Sequence, residues 1–258
     1  MDIATACNPV FSRTPRQTWL ADPIARGPFE GLQGGVVAAL MSAQIEALAV
    51  AENLGAVRAF TVHFLKPVPI GELVVACQPL RVGRRVGVVD ATLMAGAELC
   101  AVARATLIAA MPDARIPCPP PEPRDPTRLP LLRRAAPHGG AWFMDAMEVR
   151  AGQDGWTWFR LGRPVCAGQG PMTRVLPAAD WAHGVGALLG APARPAAAIP
   201  NPDLTVHLFR PPEGEWVGLD AASAWSGAGV GAGWAAIHDE RGLIGRVAMS
   251  IAVTLLEG

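Results

Sequence analysis

Two features of this chain have residue types and positions suited to catalysis. The first is an acid, Asp203, at the head of the strand-like run DLTVHLFRP. A carboxylate held there can orient a water molecule and take its proton. The second is a glycine pair, Gly34-Gly35, at the head of the helix-like run GGVVAALMSAQIEALAV. Glycines at a helix N-terminus leave backbone N–H groups open and let a ligand come close. Such donors stabilise an oxyanion, and removing one costs about 2.7–4 kcal/mol of transition-state binding in other enzymes. Each feature also has a structural reading. Asp203 follows the turn NPD and can cap local backbone, and the glycine pair can simply make a tight turn into the helix.

The elements that must position these residues occur twice. FTVHFLKP at 60–67 is answered by LTVHLFRP at 204–211, 144 residues on. GELVVA at 71–76 matches GEWVGL at 214–219, and ELCAVARATL at 98–107 matches GLIGRVAMSI at 242–251. A repeat of this length is one folding unit used twice. Positions where the halves disagree are therefore chosen by something other than the shared fold. At the same offset Asp203 faces Ala59, and Gly34-Gly35 face Ala178-Ala179. The comparison predicts one asymmetric site that takes its anion-binding helix end from the first half and its acid from the second.

In the first unit, residues 16–22 read as a short strand and 36–53 as a helix apolar on nearly every side, hence buried on nearly every side. Four Val/Ala/Thr-rich runs follow at 57–66, 72–82, 85–95 and 98–110. Their short Gly-containing links make antiparallel neighbours, since parallel strands need long crossovers. Residues 112–139 form a Pro-rich linker, unsuited to a helix or central strand. The second unit repeats the pattern, with a strand at 155–163, a helix at 177–190 stopped by Gly190, and strands at 203–210, 215–225, 229–239 and 243–256. The fold class is α+β, with residues 1–111 and 140–258 each a buried helix wrapped by an antiparallel sheet.

Composition narrows the function classes. The formal net charge is zero, with 22 basic and 22 acidic side chains, which argues against a nucleic-acid partner. Five scattered cysteines show no metal-like spacing and read as reduced thiols of a cytosolic protein. The N-terminus lacks the pattern of a secretory signal. The apolar stretch 36–51 carries Ser42, Gln44 and Glu46, and reads as a buried helix instead of a membrane span.

A helix swaddled by an antiparallel sheet and repeated in tandem resembles the double-hotdog fold. Within it, the chain resembles the acyl-CoA thioesterase II (TesB-like) family. The likeness rests on the GG-opened helix, the Pro-rich linker, the segment PDLTVHLFRPPEGEWVGL, the strand AGVGAG at 228–233 and the turn DERG at 239–242. It implies hydrolysis of an acyl-CoA thioester to a free acid and CoA, with coenzyme A present only as part of the substrate and no metal or redox cofactor. Family members use an Asp, a Gln and a Thr to hold water. The Asp falls on Asp203. The Gln falls at or beside Ser250, whose first-half counterpart is Thr106, and the Thr at or beside Ala224, flanked by Ser223 and Ser226. A serine has one hydroxyl and is two heavy atoms shorter than Gln. Within the same fold, Gln44 and Glu46 on the first helix are substrate-side candidates, because related single-hotdog enzymes often carry an acid there. The fold also implies a homodimer.

His63 and His207 match each other across the repeat, which assigns them to the fold. Arg81, Arg84 and Arg85 suit a solvated hairpin tip or the phosphates of coenzyme A. Two alternatives to hydrolysis stand beside it. A hotdog hydratase needs a His and an acid at one site, and neither repeated His has an evident partner. A non-catalytic acyl-CoA-binding or lipid-binding protein fits the missing Gln and Thr.

Overall fold

The computed structural model describes residues 8–111, 114, 116–118, 120–134, 136, 139–152, 155–183, 197–226 and 228–255. The first half contains β1 (Phe11–Arg13), β2 (Trp19–Ala21), the helix α1 (Gly34–Ala51), β3 (Ala56–Phe64), β4 (Glu72–Arg81), β5 (Val86–Ala95) and β6 (Glu98–Ile108). The second contains β7 (Met147–Ala151), β8 (Trp156–Leu161), the helix α2 (Pro171–Ala179), β9 (Ala197–Ala198), β10 (Asp203–Leu208), β11 (Trp216–Trp225), β12 (Val230–Asp239), β13 (Gly242–Ala252) and β14 (Thr254–Leu255).

Twelve strands make one sheet in the order β1-β2-β4-β5-β6-β3-β10-β13-β12-β11-β8-β7. The halves join where β3 pairs antiparallel with β10, with Thr61 opposite Thr205. These are the same position of the repeat, and their hydroxyls lie 3.1 Å apart. The pseudo-twofold relation of the halves therefore passes between them. Alternation along β10 sends Leu204, Val206 and Leu208 into the core and leaves Asp203, Thr205 and His207 on the other face.

Both helices pack on the inner face of this sheet and against each other. Eleven of the eighteen residues of α1 are buried, among them Val36, Leu40, Met41 and Ile45. By length and composition α1 could cross a membrane, but it is packed between α2 and the strands β3 to β6. It is the core helix its sequence predicts.

The second helix departs from expectation. It spans Pro171–Ala179, not 177–190, and Pro177 lies inside it. The N-terminal Pro of the helix is Pro171, where a missing N–H costs nothing. The expected stop at Gly190 lies outside the described residues. Glycine 34 therefore corresponds to the start of α2 near Pro171, not to Ala178, which sits at its far end. The linker adds backbone bonds to the second half, with Glu122 N–H donating to Arg241 O and Arg124 N–H to Glu240 O.

Candidate active site

The first turn of α1 begins at Gln33, an extended N-cap residue that is 3 % exposed. Its side-chain Oε1 accepts from Val36 N–H at 2.7 Å. Its Nε2 donates to Asp180 Oδ2 at 2.6 Å. Val37 N–H bonds the Gln33 carbonyl, and Gly35 N–H donates to the Asp180 carboxylate. A helix leaves its first four N–H groups without helical partners. Of these, Gln33 N–H donates to Ala25 O, Val36 N–H to the Gln33 side chain and Gly35 N–H to the Asp180 carboxylate, while Val37 N–H makes the first bond of the helical ladder. Gly34 N–H bonds no described residue, and Gly34 lines a cavity of about 670 Å³.

Asp180 follows the last residue of α2 and is buried to 5 % exposure. Besides Gln33 and Gly35 it accepts from Asn201 Nδ2 at 2.9 Å through Oδ1. Burial pushes its carboxyl above the ordinary carboxylate value, while nearby His183 and the Asn201 and Gly35 donors pull it down. His183 directs Nδ1 at the Asp180 carbonyl, 2.8 Å away. Burial lowers its affinity for a proton, so the ring is held toward the neutral form. Asp180, His183, Asn201, Gln33 and Gly34 all line the one cavity, whose walls are otherwise mostly apolar and include Phe29, Phe64, Trp142 and Trp181. The two tryptophans meet edge to face, with ring centroids 5.7 Å apart.

The close approach of the two helices explains the glycine pair. A Cβ on Gly35 would lie 2.6 Å from Leu176 O, 2.6 Å from Asp180 Cβ and 3.0 Å from Pro177 Cα. Only glycine lets α1 start against the end of α2. A Cβ on Gly34 would lie 3.1 Å from Asp180 Oδ1 and from Phe64 Cζ.

A second acid mirrors the first. Glu46 on α1 accepts from Met172 N–H at 2.8 Å, Thr173 N–H at 3.2 Å and Thr173 Oγ1–H at 2.6 Å. Burial raises its carboxyl above the ordinary value. Each helix thus offers an acid to the N-terminus of the other. The glycine ahead of α2, Gly170, sits where any Cβ would come within 2.4 Å of the Glu46 carboxyl carbon. Glu46 is a cap on α2 and does not line the cavity of Gly34 and Asp180. Gln44, half-buried on the same helix, does not line it either.

Asp203 and Ser250 do meet. Ser250 N–H donates to Asp203 Oδ1 at 2.6 Å, and the Ser250 hydroxyl lies 3.3 Å from Oδ2. Strand alternation turns both outward, because Leu204 and Met249 beside them take the inner face. Neighbours Asn201, Pro202 and Ala252 line the cavity, but Asp203 and Ser250 do not. Asp203 and Ser250 thus come together, while the acid beside Gly35 is Asp180. Ser223 accepts from Trp225 Nε1 at 3.1 Å, and Ser226 accepts from Ala228 N–H at 3.3 Å. Both close local bonds near the β11–β12 turn. His63 and His207 are exposed on the outer face, flanking Asp203 and Thr205.

Asp180, Gln33, Asn201 and His183 were not singled out from the sequence. One signal was present: Asp180 and His183 form D-x-x-H in PAADWAH, the spacing of one helical turn. A smaller cavity of about 330 Å³, lined by Phe159, Gln169, Arg174 and Gly214 among others, contains neither buried acid. Among the described residues no cluster of His, Cys, Asp and Glu could hold a metal ion.

Comparison with known proteins gives the family. The chain is similar in structure to a hotdog-fold protein from Alicyclobacillus acidocaldarius, with TM-score 0.72, 18 % identity and 96 % of each chain covered. It is also similar to the acyl-CoA thioesterase II TesB2 of Mycobacterium marinum, with TM-score 0.67, 16 % identity and 96 % of each chain covered. The tesB protein of Mycobacterium avium subs. paratuberculosis gives TM-score 0.66 at 14 % identity over 95 % of each chain. At these identities the likeness establishes the double-hotdog fold. No curated protein sequence matches the chain. The family model of the acyl-CoA thioesterase N-terminal domain matches residues 23–108, and that of the C-terminal domain matches residues 112–253. The chain belongs to the acyl-CoA thioesterase family.

Proposed function

We propose that the protein hydrolyses an acyl-CoA thioester, and that the reaction runs at Asp180 and Gly34 and not at Asp203. The observation that carries this reading is the open N–H of Gly34, at the positive end of α1, facing the cavity beside a buried carboxylate. The thioester carbonyl accepts from Gly34 N–H. Asp180, ionised, takes a proton from the attacking water, and the hydroxide adds to the acyl carbon. The tetrahedral oxyanion is held by Gly34 N–H. Collapse breaks the carbon–sulfur bond, and the CoA thiolate recovers the proton from Asp180. Asn201 and Gln33 fix the carboxylate for both transfers. Burial raises the proton affinity of Asp180, which suits a group that must accept a proton and return it. The scheme calls for no metal or redox group.

A second reading draws on His183. With Asp180 it supplies the paired His and acid that a hotdog hydratase needs, at one cavity. The same experiment separates the readings. Wild type and Asp180→Asn are offered a panel of saturated and α,β-unsaturated acyl-CoAs, with free thiol and enoyl absorbance followed together. Thiol release lost in Asp180→Asn supports hydrolysis. Loss of enoyl absorbance without thiol supports the hydratase. Binding with neither change leaves an acyl-CoA-binding protein, and no binding overturns all three.

A further inference from the structure

The repeat assigns a distinct task to Lys66. Its second-half counterpart is Arg210, and that guanidinium is locked. Arg210 pairs with Asp239, which has no exposed surface, and also donates to Gly242 O at 3.2 Å. The acid has no equivalent in the first half. Asp239, the last residue of β12, answers to Ala95, the last of β5, and Gly242 answers to Glu98. Lys66 instead reaches Glu98 at 2.5 Å, with both side chains more than half exposed. A pair this open contributes little and separates readily. Lys66 is also the single lysine in a chain whose other basic side chains are all arginine. It lines the mouth of the Asp180 cavity, and Arg134 of the linker lines it as well. Glu30 is the acid in that lining outside the Asp180 cluster.

We infer that Lys66, with Arg134, receives the phosphate groups of coenzyme A, so that the cavity selects thioesters carrying the phosphorylated nucleotide over thioesters of bare pantetheine. The inference rests on the proposed thioesterase reading. The geometry suits it. The fold has released this ammonium from the buried acid that holds its twin, and left it at the rim of an apolar cavity whose floor carries the reacting groups. A compact ammonium on a flexible stem can leave Glu98 for a phosphate without disturbing the sheet.

The test compares acyl-CoA, acyl-dephospho-CoA and acyl-pantetheine of one chain length in wild type, Lys66→Ala, Lys66→Arg and Arg134→Ala. Lys66→Ala should raise KM for acyl-CoA about tenfold with kcat unchanged, the size of one charge-assisted contact. It should leave KM for acyl-pantetheine unaltered and flatten the salt dependence of kcat/KM for acyl-CoA. Lys66→Arg should restore most of the loss. Dephospho-CoA tells the 3′-phosphate from the pyrophosphate: if wild type already shows the tenfold rise with it, Lys66 holds the 3′-phosphate. Equal KM changes for all three thioesters, or no change with acyl-CoA, would overturn the inference. If wild type cleaves none of them, the thioesterase reading fails on its own. Calorimetric binding of free coenzyme A then decides, since Lys66→Ala must weaken it about tenfold or the inference falls too.

Discussion

Asp180 Oδ2 and Gln33 Nε2 lie 2.6 Å apart, a hydrogen bond that ties the end of α2 to the start of α1 across 147 residues. Gln33 turns its other side-chain atom to Val36 N–H, so one amide caps its own helix and orients the acid of the other half. Glu46 does the reciprocal service at α2 through Met172 and Thr173. The two helices must therefore run antiparallel, each with an acid late in its course beside the N-terminus of its neighbour. Asp180 lines the cavity of about 670 Å³, and Glu46 lines neither that cavity nor the smaller one. That asymmetry is the reason to expect one working site in a molecule built from two similar halves.

Asp180→Asn should lower kcat/KM by about 10²–10⁴-fold, the usual effect of losing a positioned general base. The amide is nearly isosteric, so the fold should survive, and circular dichroism and the thermal midpoint check that it does. Asp203→Asn should keep turnover of the same order as wild type, because its carboxylate bonds Ser250 on the outer sheet face. Steady-state kinetics on the best acyl-CoA compares the two. A collapse in Asp203→Asn with Asp180→Asn still active would return the chemistry to Asp203 and Ser250.

Gly34→Ala and Gly35→Ala should fail in different ways. At Gly35 the new methyl meets the Leu176 carbonyl and Pro177 Cα, backbone that cannot move without parting the helices. The expected cost is about 1–3 kcal/mol of stability, read as a lower urea midpoint at an unchanged m-value. At Gly34 the methyl meets the tip of Phe64 and Asp180 Oδ1 at 3.1 Å. There the midpoint should hold while kcat falls, because the methyl crowds the place of the acyl oxygen. Equal stability loss in both variants would remove the distinction.

The architecture was legible because the repeat carried it. TVH strands and glycine turns appear at matching places, and Thr61 and Thr205 do meet at the centre of the sheet. The site was less so, for a reason visible at α2. Strands of the two halves are offset by 144 residues, as Thr61 and Thr205 show. The helix starts, Gly34 and Pro171, are offset by 137 (171 − 34). The second half has a longer connection from helix to strand. One offset applied throughout set Gly34 against Ala178 and put Asp180 in the first turn of a helix expected at 177–190, where an acid is an ordinary occupant. The acid at the TVH strand, Asp203, was conspicuous by contrast with Ala59. The alternation of Leu204, Val206 and Leu208 puts Asp203 on the face away from the core, but strand alternation does not tell which face carries the cavity.

Glu46 gives a pH signature in stability. Its carboxyl has a higher proton affinity folded than unfolded, chiefly from burial. The folded state therefore binds its proton more tightly, and stability falls as pH rises from 4.5, its ordinary value, through the raised folded value. Glu46→Gln keeps an acceptor for Met172 N–H and removes the titration. Urea unfolding from pH 4 upward should show wild type losing stability relative to Glu46→Gln across that window and running parallel to it above. Parallel curves throughout would mean that Glu46 titrates normally.

Arg210 and Asp239 should behave as the structural counterpart to Lys66 and Glu98. Asp239 is wholly buried and also accepts from Glu213 N–H at 2.7 Å and Arg241 N–H at 2.9 Å. Arg210→Met leaves that carboxylate without its cation, and breaking one side of a buried pair costs about 3–5 kcal/mol. For a chain of this size the thermal midpoint should fall by on the order of 10 °C. Lys66→Met should leave the midpoint unchanged, since its partner Glu98 stays hydrated. Differential scanning calorimetry of the two variants at neutral pH makes the comparison. A midpoint loss in Lys66→Met equal to that of Arg210→Met would show that the first-half cation also holds the fold together.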